Sequence, residues 1–142
     1  MKQPPLPRSV RVLLALAGLY GLAAIVLSAL GAHLVKPEVW TADYQAFLDA
    51  RFLFLSHTLA MLALGLALGA GFPTGKPNRL PPRAWLLVGY GWALGALLFA
   101  GPIFVKAFSG YGGLGKLSPL GGTLLMVSWL GLGVLALFYR KK

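Results

Sequence analysis

Residues 84–105 read AWLLVGYGWALGALLFAGPIFV, 22 consecutive positions without a Lys, Arg, Asp or Glu, bracketed by Arg83 and Lys106. About 20 such residues in a helix span the roughly 30 Å hydrocarbon core of a bilayer. Leu, Ala and Gly dominate the stretch with no polar/apolar alternation. That pattern predicts a helix rather than a barrel strand, since only those two forms satisfy their own backbone in lipid. The same signature recurs three times: 24 uncharged residues between Arg11 and Lys36, 24 between Arg51 and Lys76, and 23 between Lys116 and Arg140. The chain is therefore expected to be an all-α integral membrane four-helix bundle, a single domain over 1–142. Its expected spans are about 12–35, 52–72, 84–105 and 118–139.

Composition agrees. Of 142 residues, 58% are hydrophobic and 11% charged, with a mean hydropathy of +0.76. A soluble domain carries about 25% charged residues, so too few charges remain to cover a water-facing surface. Thirteen Lys and Arg against three Asp and Glu give a net charge of +10. These bases sit in the breaks between apolar runs, which points to a lipid bilayer containing anionic lipids and excludes nucleic acid. There is no cysteine, so disulfides, thiolate catalysis and Cys-ligated metals are excluded. Lys2, Arg8 and Arg11 precede the first span as in a signal peptide, and Ala29-Leu30-Gly31 would pass as a cleavage site. The apolar run is longer than a signal core, however, and reads as a retained span.

Orientation follows from the bases. The N-terminal segment holds three (Lys2, Arg8, Arg11), the middle connection three (Lys76, Arg79, Arg83) and the C-terminus three (Arg140, Lys141, Lys142). The other two connections hold two each: Lys36 and Arg51, then Lys106 and Lys116. Nine against four places both termini in the cytoplasm of a bacterial cytoplasmic (inner) membrane (N-in/C-in). Within the outer segment 38–51, Trp40, Tyr44, Phe47, Leu48 and Phe52 recur at helical spacing with Glu38, Asp43, Gln45 and Asp49 between them. This predicts an amphipathic helix lying on the outer interface or extending the second span outward. Trp85 and Tyr139 suit the inner interface, Trp40 and Tyr111 the outer one.

Helices in lipid gain no hydrophobic force from one another and associate through small residues. Such residues stand four apart as Ala24, Ser28 and Ala32 in the first span, Gly65 and Gly69 in the second, and Gly91 and Gly95 in the third. The fourth has Ser118 and Gly122 near its start and Gly131 and Gly133 near its end. The expectation is close packing within the chain, with another copy of it, or with other membrane proteins.

No ionisable group stands in the middle of any span, which disfavours a proton-coupled transporter or a cation channel. Polar and irregular features collect instead at the outer end. His33 and His57 are expected there at similar depth. Pro102 removes a donor and frees the carbonyl of Leu98. The fourth span opens as Ser118-Pro119-Leu120-Gly121-Gly122, with Ser118 in the position of a helix cap. His33, His57, Ser118, Gly121 and Gly122 thus form a candidate ligand site suited to an anion, a lipid headgroup or a quinone oxygen. A satisfied interfacial histidine and an ordinary helix start account for the same residues. Two histidines without a third ligand do not make a metal site, so no metal, cofactor or catalytic residue is assigned.

Gly31-Ala32-His33, His57-Thr58-Leu59-Ala60-Met61-Leu62, Leu98-Phe99-Ala100-Gly101 and Leu117-Ser118-Pro119-Leu120-Gly121-Gly122, followed by Trp129, occur in an order and spacing that resembles domain-of-unknown-function family 423. Its members are small four-span inner-membrane proteins, similar to transmembrane protein 256 of eukaryotes. The chain departs from the pattern in Phe52-Leu53-Phe54-Leu55-Ser56, whose spacing before His57 differs, and in a longer segment from Pro37 to Arg51. The resemblance implies the four-span topology and brings no catalytic residue. The functional expectation is a non-enzymatic accessory or scaffold component of the membrane. The alternative is a small-ligand binding or transport protein with its site at the outer end of the bundle.

Overall fold

The computed structural model describes residues 5–34, 42–75 and 83–138. They form four helices: α1 (Arg8–Leu34), α2 (Ala42–Gly69), α3 (Arg83–Ser109) and α4 (Leu117–Phe138). Each is long and apolar enough to cross a membrane, and no strand occurs among the described residues. Trp40, Tyr139 and the whole of the basic 76–82 connection lie outside them.

The helices run up, down, up and down. Successive contacts show this on α1 and α2, where Gly31 lies under Phe47, Gly21 beside Thr58, Gly65 against Leu14, and Gly69 against Leu6. The end at which α1 meets α2 and α3 meets α4 is called the distal end below. At the other end α2 stops in a glycine cap. Gly71 takes φ 100°, Phe72 N–H donates to Ala67 O at 3.0 Å and Gly71 N–H to Leu68 O at 3.2 Å. This geometry satisfies carbonyls the helix leaves open, and only glycine adopts it without strain.

α2 is longer than the second uncharged run. Residues 42–51, the amphipathic segment, continue the helix toward the distal end. Phe47 and Ala50 on one side are buried, while Asp43, Gln45 and Asp49 on the other are exposed. Phe47 covers Gly31 and meets Phe104 and Phe108 edge-on at 5.8 Å each. Phe52, expected on the same apolar face, points outward at 70% exposure. The face turns by about 100° per residue along a helix, and five residues beyond Phe47 it has left the core. Trp85 lies near the opposite end of the bundle, but it is buried and packed edge-on to Phe72 at 4.8 Å.

α3 is the hub. It touches α1, α2 and α4, whereas no Cα of α4 comes within 8 Å of α1 or α2. The α1 side is fastened by two tyrosines, Tyr20 Oη donating to Ala93 O at 3.0 Å and Tyr90 Oη to Ser9 O at 2.8 Å. The α4 side is fastened by small residues. Gly91 faces Ser128, Gly95 faces Leu125, and Gly121 comes against the backbone of Leu98 and Phe99. On α4 only Gly121, Leu125 and Ser128 are buried, a stripe spaced four and three residues apart, as one helix contact line requires.

Gly121 and Gly122 are adjacent in sequence and opposite in consequence. A Cβ on Gly121 would sit 2.6 Å from Leu98 C and 2.8 Å from Gly95 O, main-chain atoms that cannot step aside. A Cβ on Gly122 would meet only the Phe99 ring, at 3.5 Å, an ordinary contact. Gly121→Ala is therefore expected to destabilise the protein by about 1–3 kcal/mol, as overpacking does, and Gly122→Ala to leave it nearly unchanged. Unfolding of both variants in mixed micelles measures the difference, and equal midpoints would contradict this packing.

Candidate functional site

Because α4 leans on α3 alone, a wedge opens between α4 and α2. It forms a groove of about 500 Å³ lined by Leu53 and His57 of α2, Phe99 of α3, and Gly122, Leu125, Met126 and Trp129 of α4. That volume lies within the roughly 300–1,000 Å³ of ligand-sized pockets. Its wall is almost wholly apolar, and it is open on its lateral side.

One polar contact spans the wedge. Trp129 Nε1 lies 3.0 Å from His57 Nε2, and His57 Nδ1 lies 2.7 Å from Leu53 O. An indole N–H only donates, and a carbonyl only accepts. His57 therefore carries its proton on Nδ1, donates it to Leu53 O, and accepts from Trp129 through the Nε2 lone pair. This is the neutral imidazole with both nitrogens satisfied. The ring packs edge-on to Trp129 at 6.1 Å, and Trp129 in turn lies 4.6 Å from Trp92. The Nε1 of Trp92 is buried without a partner among the described residues.

Of the five candidate residues, the structure brings two onto one surface, His57 and Gly122. Ser118 does not cap α4, which begins one residue earlier. Its hydroxyl donates across to Phe99 O at 3.0 Å, one carbonyl beyond the one Pro102 leaves free. Gly121 is buried against the α3 backbone. His33 is exposed in the last turn of α1. The histidines do not share a depth. Gly31 is level with Phe47 and Gly21 with Thr58, so His57 sits about level with residue 22 of α1. That puts it roughly 16 Å along the axis from His33 at about 1.5 Å per residue. The outward extension of α2 is the reason: counting from Arg51 understates how deep His57 lies. Among the described residues, no three His, Cys, Asp or Glu gather as a metal-ligand group.

Several hydroxyls of the spans are directed at helix carbonyls, whereas Ser9 Oγ is buried without a partner among the described residues. Thr58 donates to Phe54 O at 2.9 Å, Ser128 to Leu124 O at 2.8 Å and Thr123 to Pro119 O at 2.9 Å. At the distal end Lys106 Nζ pairs with Asp43 Oδ1 at 2.7 Å, both well exposed. Such a pair contributes at most about 1 kcal/mol.

The residue sequence reading missed is Trp129. Its signal was present: an indole N–H far from any charge usually finds an acceptor within the bundle, and His57 offers an imidazole well inside a span.

Fold and groove together define a small integral membrane protein of four spans with an apolar lateral cleft. The chain belongs to the family described as protein of unknown function (DUF423), whose model matches residues 27–122. It is 29% identical over 120 residues to a UPF0382 membrane protein of Haemophilus influenzae, covering 84% of this chain and 88% of the relative. A UPF0382 membrane protein of Staphylococcus saprophyticus is 26% identical over 120 residues, 84% of this chain and 92% of that one. No solved structure matches the chain.

If the His57–Trp129 bond ties α2 to α4, His57→Ala and Trp129→Phe should couple. A double-mutant cycle in mixed micelles is expected to return about 0.6 kcal/mol, the average for interhelical hydrogen bonds in lipid. Strict additivity would show that the wedge is held by α3 alone.

Proposed function

We propose that this protein is a non-enzymatic accessory or scaffold component of the bacterial cytoplasmic membrane. Both termini face the cytoplasm, and the protein acts by lateral association with another membrane protein or a second copy of itself. The observation that carries this reading is the burial of α4. Three of its 22 residues are buried, and Leu120, Val127, Leu130 and Val134 are among the large apolar side chains it turns outward. α1 likewise turns Leu19, Leu22, Ile25 and Val26 outward. The two helices lie at separate edges of the assembly and present smooth apolar faces. The Thr58, Thr123 and Ser128 hydroxyls and the His57 imidazole donate their protons to helix carbonyls, which favours an architectural role over a catalytic one. The nine-to-four distribution of bases supports the orientation. A polar site for an anion or headgroup built on His33, His57 and Ser118 is the weaker reading, because these side chains point to three different places.

Two measurements test this. A reporter fused after Lys142 should report the cytoplasm, and an exported reporter would overturn the orientation. A photo-cross-linking residue at Val127 or Val134, on the side of α4 away from the groove, should yield a discrete protein adduct in native membranes. Adducts to lipid alone at both positions would overturn the scaffold reading and leave the groove untouched.

A further inference from the structure

All three acids of the chain fall between residues 38 and 49, and Asp43 and Asp49 belong to the distal end of α2. At the opposite end Arg8 opens α1 and Arg83 opens α3. Both are exposed, and neither carboxylate of the four helices stands at that end to neutralise them. The two helices run in the same direction, and their contacts bring the arginines together. Leu13 lies against Gly89 and Tyr90 Oη donates to Ser9 O at 2.8 Å, which sets Arg8 within about one turn of Arg83 along the axis. Ser9 adds a buried hydroxyl without a partner among the described residues, a donor the protein itself leaves unused there.

Helix phase places both arginines on one valley. Arg83, Leu87, Tyr90 and Leu94 stand four, three and four residues apart, a single stripe of α3, and the Tyr90 bond shows that this stripe borders α1. On α1, Leu14 and Gly21 meet α2 and Tyr20 bonds α3. Arg8, Val12 and Leu19 follow on the flank just past Tyr20, the side turned from α2. Val12 is 42% exposed, Leu19 61%, Leu87 71% and Leu94 51%, so the valley opens to lipid. Leu19 and Leu94 each stand eleven residues beyond their arginine, about 16 Å along the helix. One leaflet of hydrocarbon is roughly 15 Å thick, half of the core.

Two guanidinium groups above an apolar valley of that depth match a phosphate above an acyl chain. Guanidinium forks engage phosphate oxygens bidentately, and bases at the membrane surface draw anionic lipid. We propose that the α1–α3 valley binds an anionic phospholipid of the leaflet opposite the distal end. Its phosphate is held between Arg8 and Arg83, and one acyl chain lies along Val12, Leu19, Leu87 and Leu94. This site is separate from the outward face of α4 and from the α2–α4 groove.

Native mass spectrometry of the full-length protein, delipidated and titrated with dioleoyl-phosphatidylglycerol or dioleoyl-phosphatidylcholine, tests this. The wild type is expected to retain one phosphatidylglycerol under activation that strips phosphatidylcholine. Arg8→Gln and Arg83→Gln should each weaken the apparent affinity about fivefold, the effect of one surface base. Arg11 stands nine residues before Tyr20, half a turn out of phase and so turned away from α3. Arg11→Gln, with the same loss of charge at nearly the same depth, should leave the affinity unchanged. Thermal midpoints equal to that of the wild type check the folding of all three variants. Inorganic phosphate should not displace the lipid. Equal weakening in the three variants overturns the proposal, as does unchanged affinity in Arg8→Gln or Arg83→Gln. Displacement by inorganic phosphate, or equal retention of the two lipids, overturns it as well.

Discussion

The close approach of α4 to α3 at Gly121 is the constraint on which the rest of the architecture depends. In hydrocarbon a helix satisfies its own backbone, and its apolar side chains are as content with lipid as with one another. Two helices then stay together only where their surfaces fit closely enough for dispersion contacts to exceed those with lipid. Gly121 removes the side chain that would hold the axes apart, and its backbone lies against Leu98, Phe99 and Gly95. Once that point is fixed, Leu125 fills the gap at Gly95 and Ser128 the gap at Gly91, one turn after another. Ser118 adds a hydrogen bond from the preceding turn. The α1–α2 pair follows the same rule with the roles divided differently: glycines of α2 receive leucines of α1, and a glycine of α1 receives Phe47.

A contact line of this kind uses one face of α4 and leaves the adjacent face unsupported. Closing the bundle would need α4 to approach α2 as well, and the bulk of Phe99 and Trp129 stands between them. The result is a wedge whose deep part is bridged by side chains instead of backbone. A mid-span indole N–H left unpaired in lipid would be costly, as would an imidazole. Pairing the two removes both penalties and at the same time sets the separation of the helices. The tautomer follows from this: with Leu53 O below and Trp129 above, neutral imidazole protonated at Nδ1 is the form that fits both neighbours.

The number, approximate limits and apolar character of the helices were legible in the sequence, because the gaps between charges report them directly. The small-residue spacing also named the right faces on two helices, with Gly65 and Gly69 meeting α1 and Gly91 and Gly95 meeting α4. On the first and fourth spans it was right in part: Ala24 is buried and Ser118 bonds α3, but Gly31 rather than Ala32 lies under Phe47, and Gly121 rather than Gly122 meets the α3 backbone. Spacing carries period but not phase, and phase is decided by the partner helix. The five candidate residues do not gather on one surface for a related reason. Distance from the nearest charge was taken as depth, but α2 begins ten residues before its uncharged run, which moves His57 far from His33. Trp129 finds its acceptor 72 residues away, a pairing that spacing alone does not give.

The family model ends at residue 122, where α4 has just crossed α3. The matched segment thus contains His57, Phe99, Pro102, Ser118 and the Gly121 contact, the parts that determine how the fourth helix is set against the third. It stops short of Trp129 and the lower groove. The two relatives align over 120 residues, a longer stretch than the family model matches. A frame of this kind separates its tasks. The α3–α4 crossing must be kept for the chain to fold, whereas the groove wall at Met126 and the outward residues of α1 and α4 can change without disturbing it. Substitutions on those surfaces therefore leave the crossing at Gly121 intact.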